Sequence, residues 1–431
     1  MAFFEFIVRK VNQIMSKYHL LRIYSYQHPG KPVTSEFNKR FNGYGTIKFP
    51  LAINPIDVRE QIRIPTQLPL FLVQIEDYNS LLTIIRENSA QIKALIDKLP
   101  GVAREQFFID LLIKEIKGTN DIENVASTTK EINRAVENIN NHNKTVRFQS
   151  FAKMYFDIEN GKTYQLNELK DIRALYDSLL KGEIAKSELP DGKLFRDGFV
   201  RIGNSTQTVH LPKNSEDEIN QQLENWLKFI NLDKYDPILK ACVAHYYFEY
   251  IHPFYDGNGR LGRYLFCSYI GKKVDPYTAV SFSYQITQKK ARYYKEFQEV
   301  ENEKNYGEIT LFVISLLKYL VSGQKYVLGN LKDDYNILNF VQKKLEDFDY
   351  PSFEFNILYV YAQSFLFNSF DGSVQDTSLI SFIKSTEKIS TKKVKTAIED
   401  LEKEGLIKTV KGRPKKRKLT GKFLDKIGLN I

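Results

Sequence analysis

Apolar positions recur three and four residues apart through most of this chain, so the first expectation is a mainly α protein. EQFFIDLLIKEI, LNELKDIRALYDSLL, EINQQLENWLKFI, PILKACVAHYYFEYI and EITLFVISLLKYLVSG all follow this spacing and predict a helical middle from about Val102 to Gly323. One stretch departs from it. Between about Leu194 and Leu211, FVRIG and TVHL flank GNSTQ, an alternating pattern around turn residues that predicts a β-hairpin.

The two ends read differently. Residues 1 to about 95 mix strand-like runs, HLLRIYSY and GTIKFPLAI, with Pro/Gly punctuation before a helix from about Asp77 to Leu99. After NILNFVQKKLEDF and FNILYVYAQSFLF, which continue helical, the order becomes SLISFIKSTEK, a break at Ile389-Ser390, STKKVKTAIEDLEKEG and two strand-like pieces in LIKTVKGRPKKRKLT. Helix, turn, helix and hairpin in that order predict a winged helix-turn-helix. The expected organisation is an N-terminal accessory region over 1–100, a central helical domain over 101–325, and a helical linker with the winged helix over 326–431.

Composition narrows the class. With 42% apolar residues, 30 Phe and 26 Tyr, the chain can build sizeable cores. Two cysteines, Cys242 and Cys267, exclude a disulfide framework and a four-thiolate zinc site, and point to a reducing, cytoplasmic setting. The start MAFFEFIVRKVNQ carries Glu5 in its apolar stretch, a poor signal peptide, and no uninterrupted apolar run reaches membrane-span length, so no membrane partner is expected. The net charge is +10, and residues 381–431 alone hold 15 Lys/Arg against 6 Asp/Glu. That asymmetry makes DNA or an acidic protein a partner for the tail.

The chemistry concentrates in HPFYDGNGRLGR, His252 to Arg263. Helical runs on either side, Pro237 to Ile251 and Gly259 to Ile270, leave His252 to Asn258 as a loop feeding a helix N-terminus, which is an anion site. Gly257 and Gly259 let phosphate oxygens approach the backbone, and Asn258 tolerates left-handed backbone and can donate from its side chain. Arg260 and Arg263, three apart, can face one polyphosphate. Asp256 is a hard oxygen ligand of the kind Mg²⁺ takes beside phosphates, and His252 can be a neutral base. Base, metal ligand, phosphate cradle and charge clamp on one loop imply nucleotidyl or phosphoryl transfer. His245, seven residues before His252, finds no third metal ligand nearby and reads as a packed residue, as do both cysteines.

His252, Phe254, Asp256, Gly257, Asn258, Gly259, Arg260 and Arg263 resemble the HxFx(D/E)GNGRxxR signature of Fic proteins at every specified position. Eight matches of this kind arise by chance with a probability of order 10⁻⁸ to 10⁻⁷. Thr119-Asn120-Asp121-Ile122-Glu123-Asn124 resembles the (S/T)xxxE(G/N) inhibitory motif of the class whose inhibitory helix, here about 119–138, precedes the catalytic core. The resemblance implies a Fic-type helical core with a small β-hairpin flap at about Phe199 to Val209, where Val200, Arg201, Ile202 and Gly203 hold a target segment over the site. It implies protein adenylylation from ATP with Mg²⁺ on Asp256: His252 as base, Gly257 to Arg260 with Leu261 and Gly262 forming the phosphate cradle, Arg263 on the γ-phosphate, and Glu123 blocking it by pairing with Arg263. Tyr293 and Tyr294 resemble adenine-pocket residues, with Asn302, or Glu301 in the competing alignment, as a further contact. Target hydroxyls would be Ser, Thr or Tyr, and auto-modification is expected. Two alternatives remain open at this point: removal of AMP from modified proteins, and a nucleotide-sensing DNA-binding regulator. The target and the oligomeric state, including a homodimer, are not fixed by the sequence.

Overall fold

PILKACVAHYYFEYI forms a helix over Pro237–Ile251 because Asp236 caps it, accepting from the N–H groups of Ile238 and Leu239 at 2.9 and 3.2 Å, with Pro237 in the first turn. It is apolar on every side and accordingly buried on nearly every side. The structure, a computed structural model, describes residues 18–57, 59–139, 146–162, 164–203 and 208–429. The start MAFFEFIVRKVNQ therefore lies outside the described residues.

Helix Asn258–Lys273 packs on Pro237–Ile251, and Glu216–Ile230, Gln149–Glu159, Gly101–Ile122 and Phe282–Thr287 surround this pair. The fold is mainly α, with four small antiparallel sheets among the described residues. At the N-terminal end Thr46–Ile53 pairs with Leu68–Val73, Thr46 opposite Val73 and Ile53 opposite Leu68, and the register slips between Lys48 and Ala52, where Pro50 cannot donate to the ladder. Phe49, Leu51, Leu70 and Leu72 join the central core, so the first hundred residues build no separate core. HLLRIYSY, expected as a strand, is a helix over Leu21–Gln27. Its seven-residue run gives no clear period, and tertiary anchors decide: the Arg22 N–H donates to Asn305 and its guanidinium to Glu299.

The expected boundary at 325/326 coincides with no break, because one 37-residue helix, Thr310–Glu346, crosses it. Leu338 still belongs to the central core, and Val341 begins a second core shared with Ser352–Phe367 and the C-terminal elements. Thr310–Glu346 is long and apolar enough to cross a membrane by length and composition, and 72% of its apolar window is buried inside the protein. After it, Asp376–Thr386 and Thr391–Lys403 precede a hairpin of Ile407–Gly412 and Lys415–Leu419, with Val374–Gln375 as a third strand beside Lys415–Leu419. Buried Arg417 ties this sheet to both helices through Asp376 and Glu402.

Candidate active site

Two left-handed residues shape the loop. His252 ends the Pro237–Ile251 helix with φ 51°, and Gly257 precedes the next helix with φ 88°. A Cβ at Gly257 would also lie 2.3 Å from Leu180 Cδ1, so only glycine fits. Phe254 pins the loop from below, fully buried and stacked on Tyr176 at 3.7 Å between centroids, while the Tyr176 hydroxyl donates to the Asp256 carbonyl at 3.1 Å. Asn258 closes it: its Oδ1 accepts from the Phe254 N–H at 2.9 Å and its Nδ2 donates to the Phe254 carbonyl at 2.7 Å. The side-chain donor expected of Asn258 is thus used within the loop, and the left-handed backbone that it tolerates is not adopted. Its backbone opens the Asn258–Lys273 helix, and both ends of its amide are spent on loop geometry. Asn258→Ala leaves two backbone groups of Phe254 without partners, which should cost about 2–4 kcal/mol, read as a lower denaturant midpoint at unchanged m-value.

The same helix presents both arginines, each 1% exposed. Arg260 donates from Nη2 to Asp256 Oδ2 at 3.1 Å, and its buried Nε finds no partner among the described residues. Arg263 donates from Nε to Thr119 Oγ1 at 2.8 Å and pairs through Nη2 with Glu123 Oε1 at 2.7 Å. Glu123 lies directly over the helix start, for a Cβ at Gly259 would meet its Oε1 at 2.1 Å. The local sequence explains its placement. Asn124 takes φ 57°, the Asn124 N–H bonds the Asp121 carbonyl at 3.3 Å and the Val125 N–H bonds the Asn120 carbonyl at 2.9 Å, a Schellman ending for Gly101–Ile122. The last position of the motif is therefore the residue that must turn left-handed. This also corrects the expected single helix at about 119–138: the chain breaks at Glu123–Thr128 and restarts as Thr129–Glu137 behind a Thr128–Glu131 capping box.

His252 is partly exposed, yet burial of its ring, then the charges of His210 and Arg196, lower it from the ordinary 6.5 to about 3. It is a neutral imidazole at physiological pH. Arg196, fully buried, donates to the His252 carbonyl at 2.8 Å and fixes the turn from a loop 56 positions upstream. The ring of His210 stands 6.3 Å from that of His252, held by Glu301 at 2.7 Å and the Tyr250 carbonyl at 2.8 Å. Burial opposes the charge of Arg263, but Glu123, the neighbouring tyrosines and Glu249 overcome it and raise its pKa above the usual guanidinium value. Burial raises the Glu249 carboxyl to about 8, Arg263 opposing and Glu123 adding to the shift; its Oε1 has no partner among the described residues. Arg196, Tyr176, His210 and Glu249 escape sequence reading because none has a neighbour in the chain that reveals its role.

The peripheral expectations divide. Tyr294 is 36% exposed and donates to the Ile122 carbonyl at 3.0 Å, beside Glu123. Tyr293 is 2% exposed and shares a 2.7 Å hydrogen bond with His245, so it is a core residue behind Arg263 rather than an open pocket wall. Asn302 Oδ1 accepts from the Lys304 N–H at 3.0 Å and its backbone bridges Ile56, while Glu301 is taken by His210 and Arg63. Glu301 is thereby taken, while Asn302 spends its Oδ1 on the turn. The flap is shorter than expected: Ile202–Gly203 pairs with Thr208–His210, Val200 and Arg201 precede the strand, and residues 204–207 lie outside the described residues. His245, Cys242 and Cys267 are buried, as expected for packed residues.

Residues 165–270, which span the flap, the loop and both flanking helices, match the Fic/DOC family. The chain carries a Fic domain. Its similarity to "Protein adenylyltransferase Fic" of Drosophila virilis is 32% identity over 147 residues, 34% of this chain and 27% of that protein. With the Drosophila grimshawi protein of the same name it is 26% over 248 residues, 56% of this chain and 46% of the relative. The chain thus spans between about a quarter and a half of these relatives. Among solved structures, a Fic family protein from Desulfovibrio desulfuricans aligns with a TM-score of 0.49 at 18% identity, over 81% of this chain and 97% of that one. Glu123, Tyr293 and Tyr294 fall outside the matched Fic segment.

Proposed function

We propose that this protein is an adenylyltransferase that moves AMP from ATP to a Ser, Thr or Tyr hydroxyl of target proteins and is held in check by Glu123. The carrying observation is one loop that joins a neutral imidazole to a helix N-terminus flanked by two buried guanidiniums, one with an orphaned Nε–H. An unpartnered buried donor there calls for an anion. In this reading His252 takes the proton of the target hydroxyl, whose oxygen bonds the α-phosphorus as the bond to the bridging oxygen breaks and pyrophosphate leaves. The amides at the start of Asn258–Lys273 and Arg260 stabilise the charge that develops, and Arg263 takes the γ-phosphate once Glu123 moves aside. Tyr294 is a remaining candidate for contact with adenine, and the flap strand offers its backbone to a target segment.

Among the described residues no cluster of three or more His, Cys, Asp or Glu could hold a metal by itself. Asp256, with its carboxylate 45% exposed, fits instead the single-carboxylate role in which Mg²⁺ takes its other ligands from phosphates and water. Bound there, the ion would neutralise phosphate charge. Asp256→Ala should raise the magnesium needed for half-maximal AMP transfer by more than the ~10-fold that losing even a supporting residue costs. An unchanged magnesium titration would remove Asp256 from that role. The reading as a whole is tested by mass spectrometry of Glu123→Gly incubated with ATP, Mg²⁺ and lysate: added AMP supports it, and none overturns it.

A further inference from the structure

Both flanks of Glu123 are gripped by the C-terminal unit. On the upstream side, within Gly101–Ile122, the Ala103 N–H donates to Gln363 at 3.1 Å, Gln106 accepts from Asn368 at 2.8 Å, and Asp110 accepts from the Ser369 N–H and hydroxyl at 2.9 and 2.6 Å. On the downstream side Glu137, the last residue of Thr129–Glu137, accepts from Lys416 at 2.6 Å and faces Lys411 at 3.5 Å, both on the C-terminal hairpin. Asp371 shares Lys416 at 3.2 Å.

The outer side of that hairpin is cationic. Lys408, Arg413 and Lys415 are exposed, Lys415 lying 3.9 Å from Glu402, and Lys392 and Lys395 are exposed on the first turns of the adjacent Thr391–Lys403 helix. Acidic residues nearby are partly spent: Glu402 on Arg417 and Thr409, Asp400 on Lys403; Glu399 and Glu404 remain exposed on the far half of the helix and beyond its end.

We propose that this hairpin and the start of Thr391–Lys403 bind a nucleic-acid duplex, and that its phosphates compete with Glu137 for Lys411 and Lys416 and so loosen the segment that carries Glu123. A duplex offers one charge per ~1.7 Å of axis, far denser than two carboxylates, and it binds better to the state in which both lysines are free. That differential affinity is what shifts the equilibrium. The consequence for catalysis rests on the reading of Glu123 as an inhibitor.

The test uses the full chain and a short random-sequence DNA duplex, read by retention, by hydrogen exchange at the amides of residues 125–139, and by AMP incorporation from labelled ATP. Retention should weaken steeply with salt, exchange should rise on binding, and incorporation should rise about fivefold, the upper end of what releasing one weakly screened ion pair gives. Glu137→Gln should raise exchange and incorporation without duplex and blunt the response to it. Lys408→Ala with Arg413→Ala should lose retention and response while basal incorporation stays unchanged. No retention at low salt overturns the proposal, as does retention without a change in exchange, or a rise in exchange with no gain in incorporation while Glu123→Gly is active. Activation by polyglutamate and not by duplex assigns the face to an acidic protein and likewise overturns it. A rise in exchange while Glu123→Gly transfers no AMP leaves the coupling standing and removes the enzymatic reading instead.

Discussion

His252→Ala should lower AMP transfer from labelled ATP by about 10²- to 10⁴-fold, the contribution of a positioned general base, while the affinity for ATP stays near that of the parent chain. The split follows from the geometry. The orphaned Nε–H of Arg260, the Arg263 fork and the amides at the start of Asn258–Lys273 do not depend on the imidazole ring. Arg196 holds the turn through the backbone carbonyl of residue 252, which alanine keeps. The pH profile carries a second part of the same expectation. Because the folded-state pKa of His252 is depressed to about 3, the neutral form persists where an ordinary histidine would be charged, so the acid limb of kcat/KM should not fall at pH 6.5 on account of this residue. The same depression makes protonation favour the unfolded chain, so its contribution to stability is present above 6.5 and is lost as pH falls from there toward 3. Retained transfer in His252→Ala, or an acid limb at 6.5 that vanishes with the histidine, would contradict the assigned state of the ring.

Glu123→Gly should act in the opposite direction and raise AMP incorporation, auto-modification included, by about 5- to 150-fold, the range that one coupling contact of this kind spans. Glu123 pairs with a guanidinium that is 1% exposed and stands over the helix start, so in the proposed reading it would compete with phosphate for both features at once. Glycine at this position keeps the helix ending, because the left-handed turn is made by Asn124. Glu123→Gln separates charge from shape: it should relieve part of the block while Arg263 keeps a neutral partner. The same pair of chains distinguishes transfer from removal of AMP. Hydrolysis of an AMP-modified protein would need the carboxylate and fall in Glu123→Gly, whereas transfer rises. An unchanged or lower rate of incorporation in Glu123→Gly would end the inhibitory reading.

Much of the site was legible in the chain because its partners are close in sequence. The loop His252 to Asn258 and the helices on either side of it follow one another directly in the chain, although the bonds of Asn258 to Phe254 and of Arg260 to Asp256 were not read there. The Glu123 motif is legible for a related reason, since its last residue supplies a local backbone conformation. Reading failed where the roles were assigned without knowing what stood opposite. Tyr293 looked like a pocket wall and is packed against His245.

The sequence by itself determined the mainly helical layout, the two helices around the loop and the residues that the loop needs, because periodicity, caps and left-handed turns are short-range properties written into neighbouring side chains. Only the tertiary structure decided that Arg196 holds His252, that Leu21–Gln27 is helical, and that Glu137 meets the C-terminal hairpin, whereas the contact of Glu123 with Arg263 was already implied by the motif resemblance. Those pairings join residues far apart in the chain, and which of the many possible partners a charged side chain finds is settled by the packing of whole helices, which no local pattern encodes.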